Sequence, residues 1–121
     1  MIWTYSISKG ELSDGVKTYL GYSGAFGPSC NNAAFCDVAC IGPIPLGTWT
    51  IGKSVNHPRL GPCSIPLSPG PNTETYGRNG FFVHPENPEH PGHSSDGCCV
   101  QGMTARMALA NCEGQTLTVI I

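Results

Sequence analysis

A histidine closes the apolar run Gly80-Phe81-Phe82-Val83-His84, and 14 residues later a cysteine follows glycine in Ser95-Asp96-Gly97-Cys98. A thiol attacks as its thiolate. A nearby imidazole is the commonest means of bringing a cysteine pKa down from about 8.5 into the working range. Cys98 is therefore the candidate nucleophile and His84 its candidate base. The order matters too, because papain-like hydrolases place the cysteine first and the histidine far downstream. Gly97 permits a tight backbone that presents the next side chain. Adjacent N–H groups are then placed to hold the oxyanion of a tetrahedral intermediate. Ser95, three residues before Cys98, is set to brace the turn or to donate to substrate.

The elements that must hold this pair read as mostly β. Trp3–Ile7 and Val16–Tyr22 alternate as two strands joined by a polar turn over Lys9–Gly15. Residues 23–42 carry Cys30, Cys36 and Cys40 among small residues and read as a cross-linked loop. Pro43–Ile51 is a proline-bounded turn into a strand, and 52–75, dense in proline, reads as a long ordered loop. Phe81–His84 is a strand whose alternate residues face opposite sides. Thr104–Asn111 has helical character with Thr104 as its N-cap, and Gln115–Ile121 closes as a β-branched strand.

The 121 residues fit one domain spanning 1–121. Charged residues make up 12%, the net charge is −2, and no Lys/Arg run occurs, so nucleic acid is excluded as an expected partner. No stretch approaches the ~18 apolar residues of a membrane-spanning helix. Seven cysteines are heavy for a reduced compartment, and the odd number divides into three disulfides plus one free thiol. The free thiol is assigned to Cys98, leaving Cys30, Cys36, Cys40, Cys63, Cys99 and Cys112 as disulfide candidates with the pairing open. Met1–Ser8 has neither a basic region nor a long apolar region, so it does not read as a secretory signal. Either a leader has been removed, or export uses a machine that needs none.

The pattern His84…Ser95-Asp96-Gly97-Cys98 resembles the active-site signature of L,D-transpeptidases, an upstream His with a downstream [Ser/Thr]-x-Gly-Cys. Further blocks are similar to the type VI secretion effectors of that group: Gly21-Tyr22-Ser23-Gly24, Gly42-Pro43-Ile44-Pro45-Leu46-Gly47-Thr48-Trp49-Thr50-Ile51, His57-Pro58-Arg59-Leu60-Gly61-Pro62 and Tyr76-Gly77-Arg78-Asn79-Gly80 running into Phe81–His84. The resemblance implies a mainly β, L,D-transpeptidase-like sandwich or barrel with one short helix, here disulfide cross-linked. It implies a cysteine L,D-carboxypeptidase/L,D-transpeptidase acting on peptidoglycan tetrapeptide stems. It further implies an antibacterial toxin delivered by a type VI secretion apparatus into the target periplasm, with a cognate immunity protein. No cofactor and no metal are expected.

The implied catalytic set is Cys98, His84, Ser95 and Gly97, with Arg78, Asp96, Tyr22 and His93 as substrate-binding candidates. Arg78 is also read as an ordinary surface charge, its alternative being a stem-peptide carboxylate contact. Asp96 stands where many family members have His, and a carboxylate there opposes thiolate formation unless it points away or orients an imidazole. Cys99 is a rival nucleophile on spacing alone, although in an extended segment it faces opposite to Cys98. His90 and His93 lack the paired cysteines of a zinc site and are read as loop residues, and His57 as a turn residue. Two other classes stay in view: a non-catalytic disulfide-stapled cell-wall binding module, and a cysteine amidase cutting another stem bond.

Overall fold

The computed structural model describes residues 2–90, 92, 95 and 97–121. It is mainly β, with one α-helix. The strands are β1 (Trp3–Ser6), β2 (Glu11–Ser13), β3 (Thr18–Leu20), β4 (Tyr22–Ser23), β5 (Gly47–Ile51), β6 (Val55–His57), β7 (Gly61–Pro69), β8 (Phe82–His84), β9 (Cys99–Val100) and β10 (Thr116–Ile120). The helix α1 covers Met103–Ala110. Strand order is β3-β2-β1-β10-β5-β7-β8-β9-β4, with β6 pairing β7 off this path. Neighbours run antiparallel except β1 with β10 and β8 with β9, which are parallel.

β7 ties the two halves together. Its C-terminal end pairs β5 through Leu67–Pro69, and its middle pairs β8 through Ile65 and Pro66. The core gathers Trp3, Tyr5, Trp49, Ile65, Leu109 and Leu117, each 0 or 1% exposed. From that core Trp49 meets Phe81 edge-on at 4.9 Å, which carries the packing out to the start of β8.

Several sequence expectations give way. The polar stretch 9–15 contains β2. The proline-dense segment 52–75 contains β6 and the nine-residue β7. A proline loses only its donor, and here the carbonyls are used: Pro66 O accepts from Gly52 N at 2.8 Å, and Pro62 O from Arg106 Nη1 at 2.6 Å. Val16–Tyr22 divides at Gly21 into β3, paired with β2, and β4, paired with β9. A Cβ at Gly21 would overlap Val100 O, so the strand can change sheets only where no side chain intervenes. Gly102, not Thr104, caps α1, and it does so without a side-chain bond.

This structure holds no disulfide: all seven cysteines stand as thiols, the state expected of the reduced chain. Each thiol has its own surroundings. Cys36 donates to Ile44 O at 3.5 Å. Cys99 faces the core from β9, Cys112 is buried just past α1, and Cys40 is exposed.

Candidate active site

The parallel ladder of β8 and β9 brings the two motif halves together. Val83 pairs with Cys99 and His84 with Val100. Partners across a ladder share a face and alternate residues switch faces. Val83 and Cys99 accordingly turn into the core cluster. His84, Val100 and Cys98 fall on the other face. Cys98 stands level with Phe82, whose N–H donates to Cys98 Sγ at 3.3 Å, and the thiol itself reaches Gly80 O at 3.5 Å.

His84 is 2% exposed, and its Nδ1 lies 2.9 Å from Pro85 O. A carbonyl only accepts, so Nδ1 carries a proton in this contact. The same contact fixes the ring's orientation, a common device for a catalytic imidazole.

Ser95 braces the turn rather than facing a ligand. It is 1% exposed, its hydroxyl donates to Cys98 O at 2.6 Å, and its oxygen accepts from Gly24 N at 2.9 Å and Gly97 N at 3.2 Å. With its one proton committed, it acts as a positioning residue. The Gly97 N–H is likewise committed, so it is not the free oxyanion donor that the motif suggested. Ser23, fully buried, adds a strut: its hydroxyl donates to Gly97 O at 3.4 Å and accepts from Ile44 N at 2.9 Å.

Gly97 has φ +130°, and a Cβ there would overlap Arg78 Nη2 and lie 3.1 Å from Gly42 O. Only glycine meets both demands. Arg78 fills that space. Its Nη1 donates to Cys36 O at 2.6 Å and Pro43 O at 2.9 Å, and its Nη2 to Gly42 O at 2.9 Å. Its guanidinium also lies over Phe81, 5.0 Å from the ring centre. Three of its five N–H groups therefore tie the 36–43 loop to the active strand, which is neither a plain surface charge nor a side chain wholly free for substrate. Burial draws the guanidinium below its ordinary pKa, opposed by the nearby Cys36, Cys40 and Cys98 thiols. A fixed cation beside a cysteine favours the thiolate.

Cys98, Arg78, Cys40, Arg59, Asn79 and Phe81 share the lining of a cleft of about 330 Å³. Tyr22 is elsewhere. Its hydroxyl donates to Glu86 Oε1, which also accepts from Gly92 N at 2.6 Å. Tyr22 lines a separate groove with Glu86, Gln101 and Arg106. His93 and Asp96 lie outside the described residues. Cys99 is 1% exposed, and burial pushes its thiol far above the ordinary cysteine range, which removes it as a rival nucleophile. Among the described residues no group of three or more His, Cys, Asp or Glu could share a metal ion.

Arg59 and Cys40 entered the cleft without being singled out as site residues. Arg59 had a signal in its own motif, since His57-Pro58-Arg59-Leu60 is a tight hairpin tip, and such tips present side chains. No family model matches the chain, and no curated protein matches it.

Proposed function

We propose that this protein is a cysteine peptidoglycan-modifying enzyme of the L,D-transpeptidase kind, acting on tetrapeptide stems. One observation carries the reading: Cys98 and His84 fall on the same, outer face of two paired strands, and the cysteine lines a cleft with Arg78 and Arg59. The resemblance of the motif blocks points the same way. In the reaction, His84 Nε2 takes the Cys98 proton. The thiolate attacks the carbonyl at the L-centre of meso-diaminopimelate. The tetrahedral intermediate collapses, the terminal D-alanine leaves with the proton from His84, and a thioester remains. Water resolves it as an L,D-carboxypeptidase, and an amine resolves it as a transpeptidase or by D-amino-acid exchange. Carboxypeptidase action and D-amino-acid exchange both deplete the donors for cross-linking, as suits an antibacterial effector delivered through a type VI apparatus to the target periplasm and held in check by an immunity protein.

The binding-module alternative has Cys98 buried, unreactive and paired, whereas here Cys98 is half-buried and lines a cleft. Muropeptide analysis decides between them. Tetrapeptide incubated with the protein is expected to become tripeptide, or to exchange its D-alanine. Cys98→Ala should lower the rate by about three orders of magnitude or more. No conversion by the unaltered protein would sink the proposal.

A further inference from the structure

Among the described residues, the lining of the cleft beside Cys98 carries positive charge alone. The chain has six Lys and Arg residues against eight acidic ones, yet two of the six, Arg59 and Arg78, line this one cleft. Among its described lining residues none is acidic. The two arginines differ in kind. Arg78 is locked by three backbone carbonyls, whereas Arg59 is exposed and its guanidinium has no hydrogen-bond or ion-pair partner among the described residues.

The backbone beneath Arg59 is nonetheless held firmly. It sits in the tip between β6 and β7, after Pro58, whose ring fixes φ. His57 Nδ1 accepts from both Arg59 N and Leu60 N at 3.1 Å. The His57 ring stands edge-on to Phe82 at 5.2 Å, on the very residue whose N–H meets Cys98 Sγ. A Cβ at Gly61 would lie 2.8 Å from Pro85 Cγ, so the other side of the tip sits closely against the residue after His84. The tip is thus registered on the active strand from both ends, and its cation is left facing the cleft.

We propose that Arg59 is the specificity-determining residue of this cleft and binds a carboxylate on the ligand, so that the bond attacked by Cys98 lies next to a free chain end. An unpaired guanidinium suits a carboxylate, which it holds with two parallel hydrogen bonds. This deepens the peptidoglycan reading and rests on it for the identity of the ligand, a terminal D-amino acid. The charge preference itself can be measured without turnover.

Cys98 is alkylated with iodoacetate, an anion, and separately with neutral iodoacetamide, and the site is quantified by peptide mass spectrometry. The iodoacetate-to-iodoacetamide rate ratio is expected to fall about fivefold in Arg59→Gln and to be partly kept in Arg59→Lys. An unchanged ratio in the folded glutamine variant overturns the proposal, whatever the enzyme's substrate. The second arm compares a tetrapeptide stem with its C-terminal amide. Arg59→Gln should raise KM for the free acid about tenfold, leave kcat within about twofold, and leave the amide unaffected. Equal use of acid and amide by the unaltered protein also overturns it. Failure of both peptides to react, with the alkylation ratio still dependent on Arg59, refutes the peptidoglycan reading and keeps the carboxylate site.

Discussion

On the inner face of the β8–β9 pair, Cys99 packs beside Val83 in the core and is 1% exposed. On the outer face, one residue earlier, Cys98 lines a cleft with Arg78 and Arg59. The two thiols are covalent neighbours, yet burial suppresses ionisation of one while a cation stands beside the other. The two-residue period of a strand separates them. Reactivity is thus decided by the face on which a side chain lands, and that face is set by the ladder register between β8 and β9. A slip of one residue would exchange the two cysteines.

The strongest way to break the contrast is at the turn that presents Cys98. Gly97→Ala places a methyl group where Arg78 Nη2 now lies, at a backbone conformation that L residues rarely adopt. Strain of this sort costs about 1–3 kcal/mol, before the loss of the carbonyl bonds Arg78 would have to give up. Melting temperature is expected to fall by at least about 5 °C. Turnover should drop about a hundredfold through misplacement of the thiol. Calorimetry and muropeptide kinetics measure the two. A variant with native stability and turnover would show that the Arg78 fork does not hold the site.

The inner face should respond in the opposite sense. Cys99→Ala removes a buried sulfur from the core, at a cost of about 1 kcal/mol, and should leave turnover within about twofold. It also has a pH signature. Burial raises the folded Cys99 pKa above its ordinary value of 9.0. The unfolded chain therefore releases this proton first as pH rises. Below pH 9 the neutral thiol is common to both states and the group's contribution is fully present. Above it, stability is lost progressively as pH climbs toward the folded pKa. Denaturant titrations at pH 8 and pH 10 should show a smaller alkaline loss in Cys99→Ala than in the unaltered protein. Equal losses would mean that Cys99 is not the suppressed thiol.

The same physics explains what could be read from the chain. β1 announces itself by alternation, β5 by the proline-bounded turn before it and β10 by its β-branched run, and each turns an apolar residue inward: Trp3, Trp49 and Leu117. The His84 and Cys98 pair stood out as a candidate because thiolate chemistry calls for an imidazole and a cysteine presented by a glycine turn. β7 was hidden by its prolines: their carbonyls work in the sheet and against Arg106, but composition registers only the missing donors. The cysteine count was the weakest guide, because a count says nothing of which surroundings each thiol occupies: Cys99 and Cys112 are buried while Cys40 is exposed. The roles of Ser95 and Arg78 as braces come from contacts with residues as far away as Gly24, Cys36 and Pro43, which local sequence does not encode.

A smaller test sharpens the inner face further. Tyr5 on β1 is wholly buried, and its hydroxyl has no hydrogen-bond partner among the described residues. Burial, with Cys99 and Cys30 nearby, drives its pKa above the ordinary tyrosine range. A buried hydroxyl with no partner forfeits the hydrogen bonds it made to water in the unfolded chain. Tyr5→Phe removes that penalty and keeps the ring's packing. The variant is expected to be more stable by about 1 kcal/mol, read as a higher denaturation midpoint at unchanged m-value, with turnover unaltered. A fall in stability would mean that the hydroxyl finds a partner in solution, such as an ordered water. The inner face would then be a polar network rather than a dry core, and the contrast between the two cysteines would have to rest on Arg78 alone.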